Sequence, residues 1–180
     1  MSDEKLGFKT VTARNLLEPD PISASHHMRT ADGFRQMLPE DWVDPITGVT
    51  LPDSVPFEVR RAFQMARDAM CYGYWFYPLV TLMAQQLLRV ADFATDVACL
   101  THSIKSPRNF KARVDELIAV GIIPQAHEGL WEGIRRMRNH STHPNFQQIW
   151  GPGMAIPIAQ RVADAIAGIR WNNNANKTAT

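Results

Sequence analysis

From position 56 onward, apolar residues recur at intervals of three and four, the period of a helix with one buried face. Phe57, Ala62, Phe63, Ala66 and Met70 form the first series. Ser54 and Pro56 precede it as cap and first-turn proline, and Gly73 follows as a left-handed stop. Pro78 opens a second helix reaching about Leu100, with Leu79, Leu82, Met83, Leu87 and Val90 as a broad stripe. Its near-absence of charge predicts a central helix packed on more than one side. Ser106-Pro107 repeats the cap-plus-proline device before a third helix bearing Phe110, Val114, Leu117 and Ile118, which ends at Gly121. Pro124 starts a fourth, with Leu130, Ile134 and Met137 inward and Glu128, Glu132, Arg135 and Arg136 mostly outward. His143-Pro144 ends it, because a residue before proline is pushed out of helical geometry. A last helix carries Ile158, Val162, Ala165, Ile166 and Ile169 and closes at Trp171. Period-two alternation never lasts, so this half predicts an all-α bundle.

Residues 1–53 differ. Prolines at 19, 21, 39, 45 and 52 interrupt any helical period, and only Ala31 to Met37 has room for a short helical turn. Trp42, Val43, Ile46, Val49 and Leu51 are too apolar for a free tail. The expectation is an extended N-terminal arm over 1–53, packed on a helical domain over 54–171, with a polar, disordered tail over 172–180.

Composition narrows the function classes. A chain of 180 residues, 45% hydrophobic and 21% charged, is sized and composed like one globular domain. Nineteen Lys and Arg against eighteen Asp and Glu give +1, which argues against gripping nucleic acid by bulk charge and leaves room for a small basic cleft. Cys71 and Cys99 form no metal-binding or redox spacing and read as buried thiols in a reducing compartment. No apolar leader occupies the first 30 residues, so the expected location is cytoplasmic. Ala69 to Leu88 is free of charge and nominally long enough to span a bilayer, but Gly73, Pro78, Gln85 and Gln86 suit a helix corner better. No membrane association is expected.

The densest polar cluster, Arg135-Arg136-Met137-Arg138-Asn139-His140-Ser141-Thr142-His143, sits where the fourth helix runs out. Helical spacing puts Asn139 and His143 on one face, with Arg138 displaced about 100° towards the same edge. Such a group offers a planar cation, an orienting amide and an imidazole that titrates near neutrality. Those parts can cleave RNA without a metal. A neutral His accepts the proton of the ribose 2′-OH, and a guanidinium stabilises the charge gained by the phosphate. One Arg and one His leave the leaving oxygen without a proton donor, which a two-fold dimer supplies from its second copy. The plainer alternative is that Arg138 and His143 cap the helix C-terminus.

Other clusters read more simply. Tyr72, Tyr74, Trp75, Phe76 and Tyr77 suit core and interface packing at a helix corner better than base stacking. Lys105, Arg108, Lys111 and Arg113 form a basic stretch, either a solvated face or a guide for phosphates. His140-x-x-His143 with a cysteine is too loose for zinc, and no cofactor-binding loop is present, so neither metal nor cofactor is expected.

The stretch from about Val55 to Ile169 resembles a HEPN domain (higher eukaryotes and prokaryotes nucleotide-binding), a family marked by Arg, four to six residues, then His. Arg138-Asn139-His140-Ser141-Thr142-His143 fits, with Asn139 in the polar place after the Arg. The chain is similar to an uncharacterised bacterial HEPN-like branch through Cys71-Tyr72-Gly73-Tyr74, Gly121-Ile122-Ile123 and the Arg-Asn-x-x-x-His-Pro ending. The resemblance implies an antiparallel bundle that forms a homodimer, with Arg138 and His143 of both chains meeting in an interfacial cleft. It implies a metal-independent endoribonuclease of toxin–antitoxin or phage-defence systems, with a protein partner such as an antitoxin, or else a non-catalytic binding and dimerisation module. Asn139 would orient the pair, and Arg135 and His140 would assist in substrate binding. Many members carry a Glu in the long second helix, where this chain has Gln85, Gln86 and Arg89.

Overall fold

A computed structural model describes residues 8–142 and 149–172. Within them the chain forms seven helices and one two-stranded hairpin: α1 Pro21–Ala24, β1 His27–Thr30, β2 Gly33–Gln36, α2 Pro39–Thr47, α3 Phe57–Cys71, α4 Pro78–Thr101, α5 Phe110–Ala119, α6 Glu128–Thr142 and α7 Pro152–Ala167. The mostly helical class holds.

The long helix α4 is the axis of the molecule. Pro78 lies in its first turn, where a missing N–H costs nothing. Its 24 residues extend about 36 Å at 1.5 Å per residue. Val80, Ala84, Leu87, Leu88, Val90, Ala91, Ala94, Val97 and Ala98 are all buried, and the helix packs against α3, α5, α6 and α7. Buried alanines recur on α7 as well, at 155, 159, 163 and 165, and short side chains let helix axes approach. No described helix is long and apolar enough to cross a membrane. The uncharged run from Ala69 is broken by the end of α3, a 3₁₀ turn over Tyr72–Tyr74 and the start of α4.

Two expected caps are used differently. Gly73 does not take the left-handed conformation; the described glycines with positive φ are Gly33 (129°) and Gly121 (75°). Its value lies in close approach, because a Cβ there would sit 2.4 Å from Val80 Cγ2 and 3.4 Å from the Trp42 ring. Helix α5 is capped by Asn109, whose Oδ1 accepts from Ala112 N at 2.7 Å, while Ser106 Oγ donates to Asp96 instead.

The N-terminal region is more regular than an extended arm. Ala31 to Met37 is not helical: antiparallel pairing of Met28 with Arg35 and Thr30 with Gly33 makes a hairpin, with Ala31-Asp32 at its tip. Helix α2 forms despite two prolines. Pro39 occupies its first turn and Pro45 its last half, and Trp42 and Ile46, each 1% exposed, hold its inner face. Polar ties fix the region to the helix corner. The carboxylate of fully buried Asp20 accepts from Ile22 N at 3.0 Å and from Tyr77 N at 3.2 Å, and Ser23 Oγ donates to Gly73 O. Arg67 Nη1 donates to Thr47 O and Val49 O. Of the corner aromatics, Tyr74 and Tyr77 are buried beside Trp42, whereas Tyr72 is 63% exposed.

Candidate functional site

Helix α6 turns Trp131 and Ile134 into the core, which fixes its rotation and so the direction of every polar residue beyond them. The polar cluster of its last turns is therefore fanned around the helix rather than gathered.

Arg138 faces α4. Its Nη2 donates to Asp92 Oδ2 at 2.7 Å, and its guanidinium carbon lies 5.6 Å from the centroid of the Phe110 ring, a cation–π arrangement. The other oxygen of Asp92 accepts from Arg113 Nη2. Arg113 is held in turn by Pro107 O at 2.7 Å and Thr95 Oγ1 at 3.2 Å. One half-buried carboxylate thus joins two guanidiniums, one from α5 and one from α6. Burial makes such an arrangement rigid, because neither charge can be left without its partner cheaply. Arg113 therefore belongs to this buried ion pair and not to a solvated basic face, and Lys111 is paired with Asp115 at 2.5 Å. In front of Arg138, Gln85, Arg89, Asp92 and Ser141 complete the lining of a cavity of about 620 Å³ that opens to solvent.

The remaining cluster residues point elsewhere. Arg135 is bidentate to Glu132, with Nε and Nη2 each at 2.7 Å, and lines a separate cleft of about 440 Å³ between α5 and α6. Hydrogen bonds from Arg135 and then Arg136 hold the Glu132 carboxyl at about 2, well below its usual range. His140 is exposed and shares a third cavity, of about 360 Å³, with Arg136, Met137, Trp150, Met154 and Ile158 on the α7 side. Asn139 is exposed between these directions. His143 lies outside the described residues. The structure therefore brings Arg138 to one cavity, Arg135 to another and His140 to a third. Arg135 and His140 do not share the space in front of Arg138.

Asp92 escaped the sequence reading, although a signal existed. On a helix otherwise uncharged and largely buried, Arg89, Asp92 and Asp96 are the sole charges, and a carboxylate on such a helix needs a cationic partner. The long helix thus carries an acid facing Arg138, at 92 and not among positions 85, 86 and 89. Cys71 and Cys99 are buried and free, and burial pushes both thiols up. Among the described residues no three His, Cys, Asp or Glu side chains converge as a metal site. No known family model, curated protein or solved structure matches this chain.

Proposed function

We propose that the chain is a HEPN-like helical domain that acts in the cytoplasm as a homodimeric, metal-independent endoribonuclease of a toxin–antitoxin or phage-defence system. The observation that carries this reading is Arg138: a guanidinium fixed by Asp92 and Phe110 at the mouth of an open cavity. A pre-oriented fork of this kind suits the extra charge that a phosphodiester gains in the transition state.

In this reading His143 removes the proton from the ribose 2′-OH. The 2′-oxygen attacks the adjacent phosphorus, the bond to the 5′-oxygen breaks, and a 2′,3′-cyclic phosphate and a 5′-hydroxyl result. His143 of the second copy protonates the leaving oxygen. Asn139 orients the imidazole through the polar edge it shares with the motif. Arg135 and His140, directed to other cavities, would serve a bound strand beyond the scissile phosphate.

The test is incubation of the purified protein with RNA in EDTA. Cleavage lost in Arg138→Ala and in His143→Ala supports the assignment. Activity untouched by Arg138→Ala overturns it.

A second reading, a non-catalytic binding or dimerisation module, is favoured by the engagement of Arg138 with Asp92 and by the dispersal of Arg135 and His140. Its signature is a stable complex with RNA, nucleotide or a protein such as an antitoxin, with RNA left intact.

A further inference from the structure

The cavity in front of Arg138 has an unbalanced charge. Gln85, Arg89 and Asp92 follow one another at helical spacing along α4, and Arg138 and Ser141 face them from α6. Asp92 has both oxygens occupied, one by Arg113 and one by Arg138. Two guanidiniums thus fill this one carboxylate, and a third, Arg89, lines the same cavity. Arg138 places only Nη2 on Asp92, and no described residue accepts from its Nη1. Arg89 is exposed and makes no hydrogen bond or ion pair with any described residue. Ser141 gives its hydroxyl proton to Arg138 O, leaving Gln85 as the neutral donor of the group.

We infer that this cavity binds a phosphate ester, clamped between Arg89 of α4 and Arg138 of α6. A phosphate supplies several acceptor oxygens on one small tetrahedral anion, and two guanidiniums on opposite walls suit it bidentately. The charge of Asp92 is offset by Arg113 and Arg138, which occupy its two oxygens. The role of this carboxylate is positioning: it holds Arg138 against α4, on the lining of the same cavity as Arg89. At about 620 Å³ the cavity has room for a nucleotide around that phosphate. The inference rests on Arg138 meeting phosphate, as in the nuclease reading, but requires no cleavage, and it assigns to Arg89 a binding role that the sequence motif does not contain.

The experiment measures binding of the full-length protein to a 2′-O-methyl RNA oligonucleotide, which cannot supply a nucleophile, and separately to inorganic phosphate. Arg89→Gln is compared with Arg161→Gln, an equal loss of charge at an exposed position on α7. Thermal melts check that both variants remain folded. The expected result is a loss of about tenfold in affinity for Arg89→Gln, with a salt slope shallower by about one, and little change for Arg161→Gln. Affinity for the oligonucleotide identifies a phosphodiester strand as the ligand, and affinity for inorganic phosphate alone identifies a terminal or free phosphate. Equal weakening by both variants, or no binding of either probe by the wild type, overturns the inference. If Arg89-dependent binding is found while unmodified RNA stays intact, the nuclease reading fails and this one stands. If RNA is cleaved with Arg89→Gln fully active and binding as the wild type does, the reverse holds.

Discussion

Asp92 and Arg138 are 46 positions apart in the chain and 2.7 Å apart in space, and their contact ties the central helix to the end of α6. Because Asp92 also holds Arg113, a single carboxylate fixes three helices at the rim of the candidate site.

Replacing Asp92 with Ala leaves Arg113, whose side chain is 10% exposed, without its counter-charge. Removing one partner of a well-buried pair costs about 3–5 kcal/mol, and the partial exposure of Arg138 lowers that here to about 2–4 kcal/mol. Urea denaturation measures it. A change below about 0.5 kcal/mol is the range of a surface substitution and contradicts the structural role given to Asp92.

The close approach at Gly73 predicts that Gly73→Ala destabilises the chain by about 1–3 kcal/mol, the usual cost of overpacking. The obstacle is the stiff side chain of Val80, 2.4 Å from the new methyl carbon. Adding Val80→Ala should therefore cost less in the Gly73→Ala background than in the wild type. Additive effects in a double-mutant cycle would show that the two sites do not collide.

The N-terminal region contributes to the core through Trp42, which is 1% exposed and touches Tyr74 and Tyr77. Trp42→Ala is expected to cost about 3–5 kcal/mol. A thermal melt like that of the wild type would mean that residues 39–47 are detachable from the helical domain.

How much of this was legible beforehand follows from the kind of signal each feature leaves. The helices from 57 onward, and the central position of α4, follow from apolar periodicity and the scarcity of charge, which are local properties of the chain. Helix α2 is hidden in the sequence because prolines read as breakers, whereas Pro39 sits in the first turn and the burial of Trp42 and Ile46 outweighs the bond lost at Pro45. The hairpin at 27–36 was missed although Asp32-Gly33 is a turn signal, because its strands are too exposed to alternate in hydrophobicity. For the candidate site, Arg138 was legible from its motif. Asp92, Arg89 and Arg113 were not, since the contacts of Asp92 with Arg113 and Arg138, 21 and 46 positions away, are made by packing and not by spacing. The same packing separates Arg135 and His140 from Arg138, a dispersal that adjacency in the sequence conceals.

Glu132 gives a pH prediction with a definite sign. Arg135 and Arg136 depress its carboxyl to about 2, against an ordinary value of 4.5. A depressed folded-state value means that the stabilisation is complete above pH 4.5 and is lost as pH falls through 2. Carboxyl chemical shifts should give a midpoint near 2 for Glu132, rising when Arg135 is replaced by Gln. A midpoint above 4 in the wild type would contradict the bidentate pairing.

The central claim is that Arg138 serves phosphodiester cleavage, and the most direct measurement is the chemistry of the RNA ends left after incubation in EDTA. Fragments ending in 2′,3′-cyclic phosphate are expected from the wild type and none from Arg138→Ala, with both proteins equally folded. Intact RNA with the wild type, or the same cyclic ends from Arg138→Ala, would contradict it.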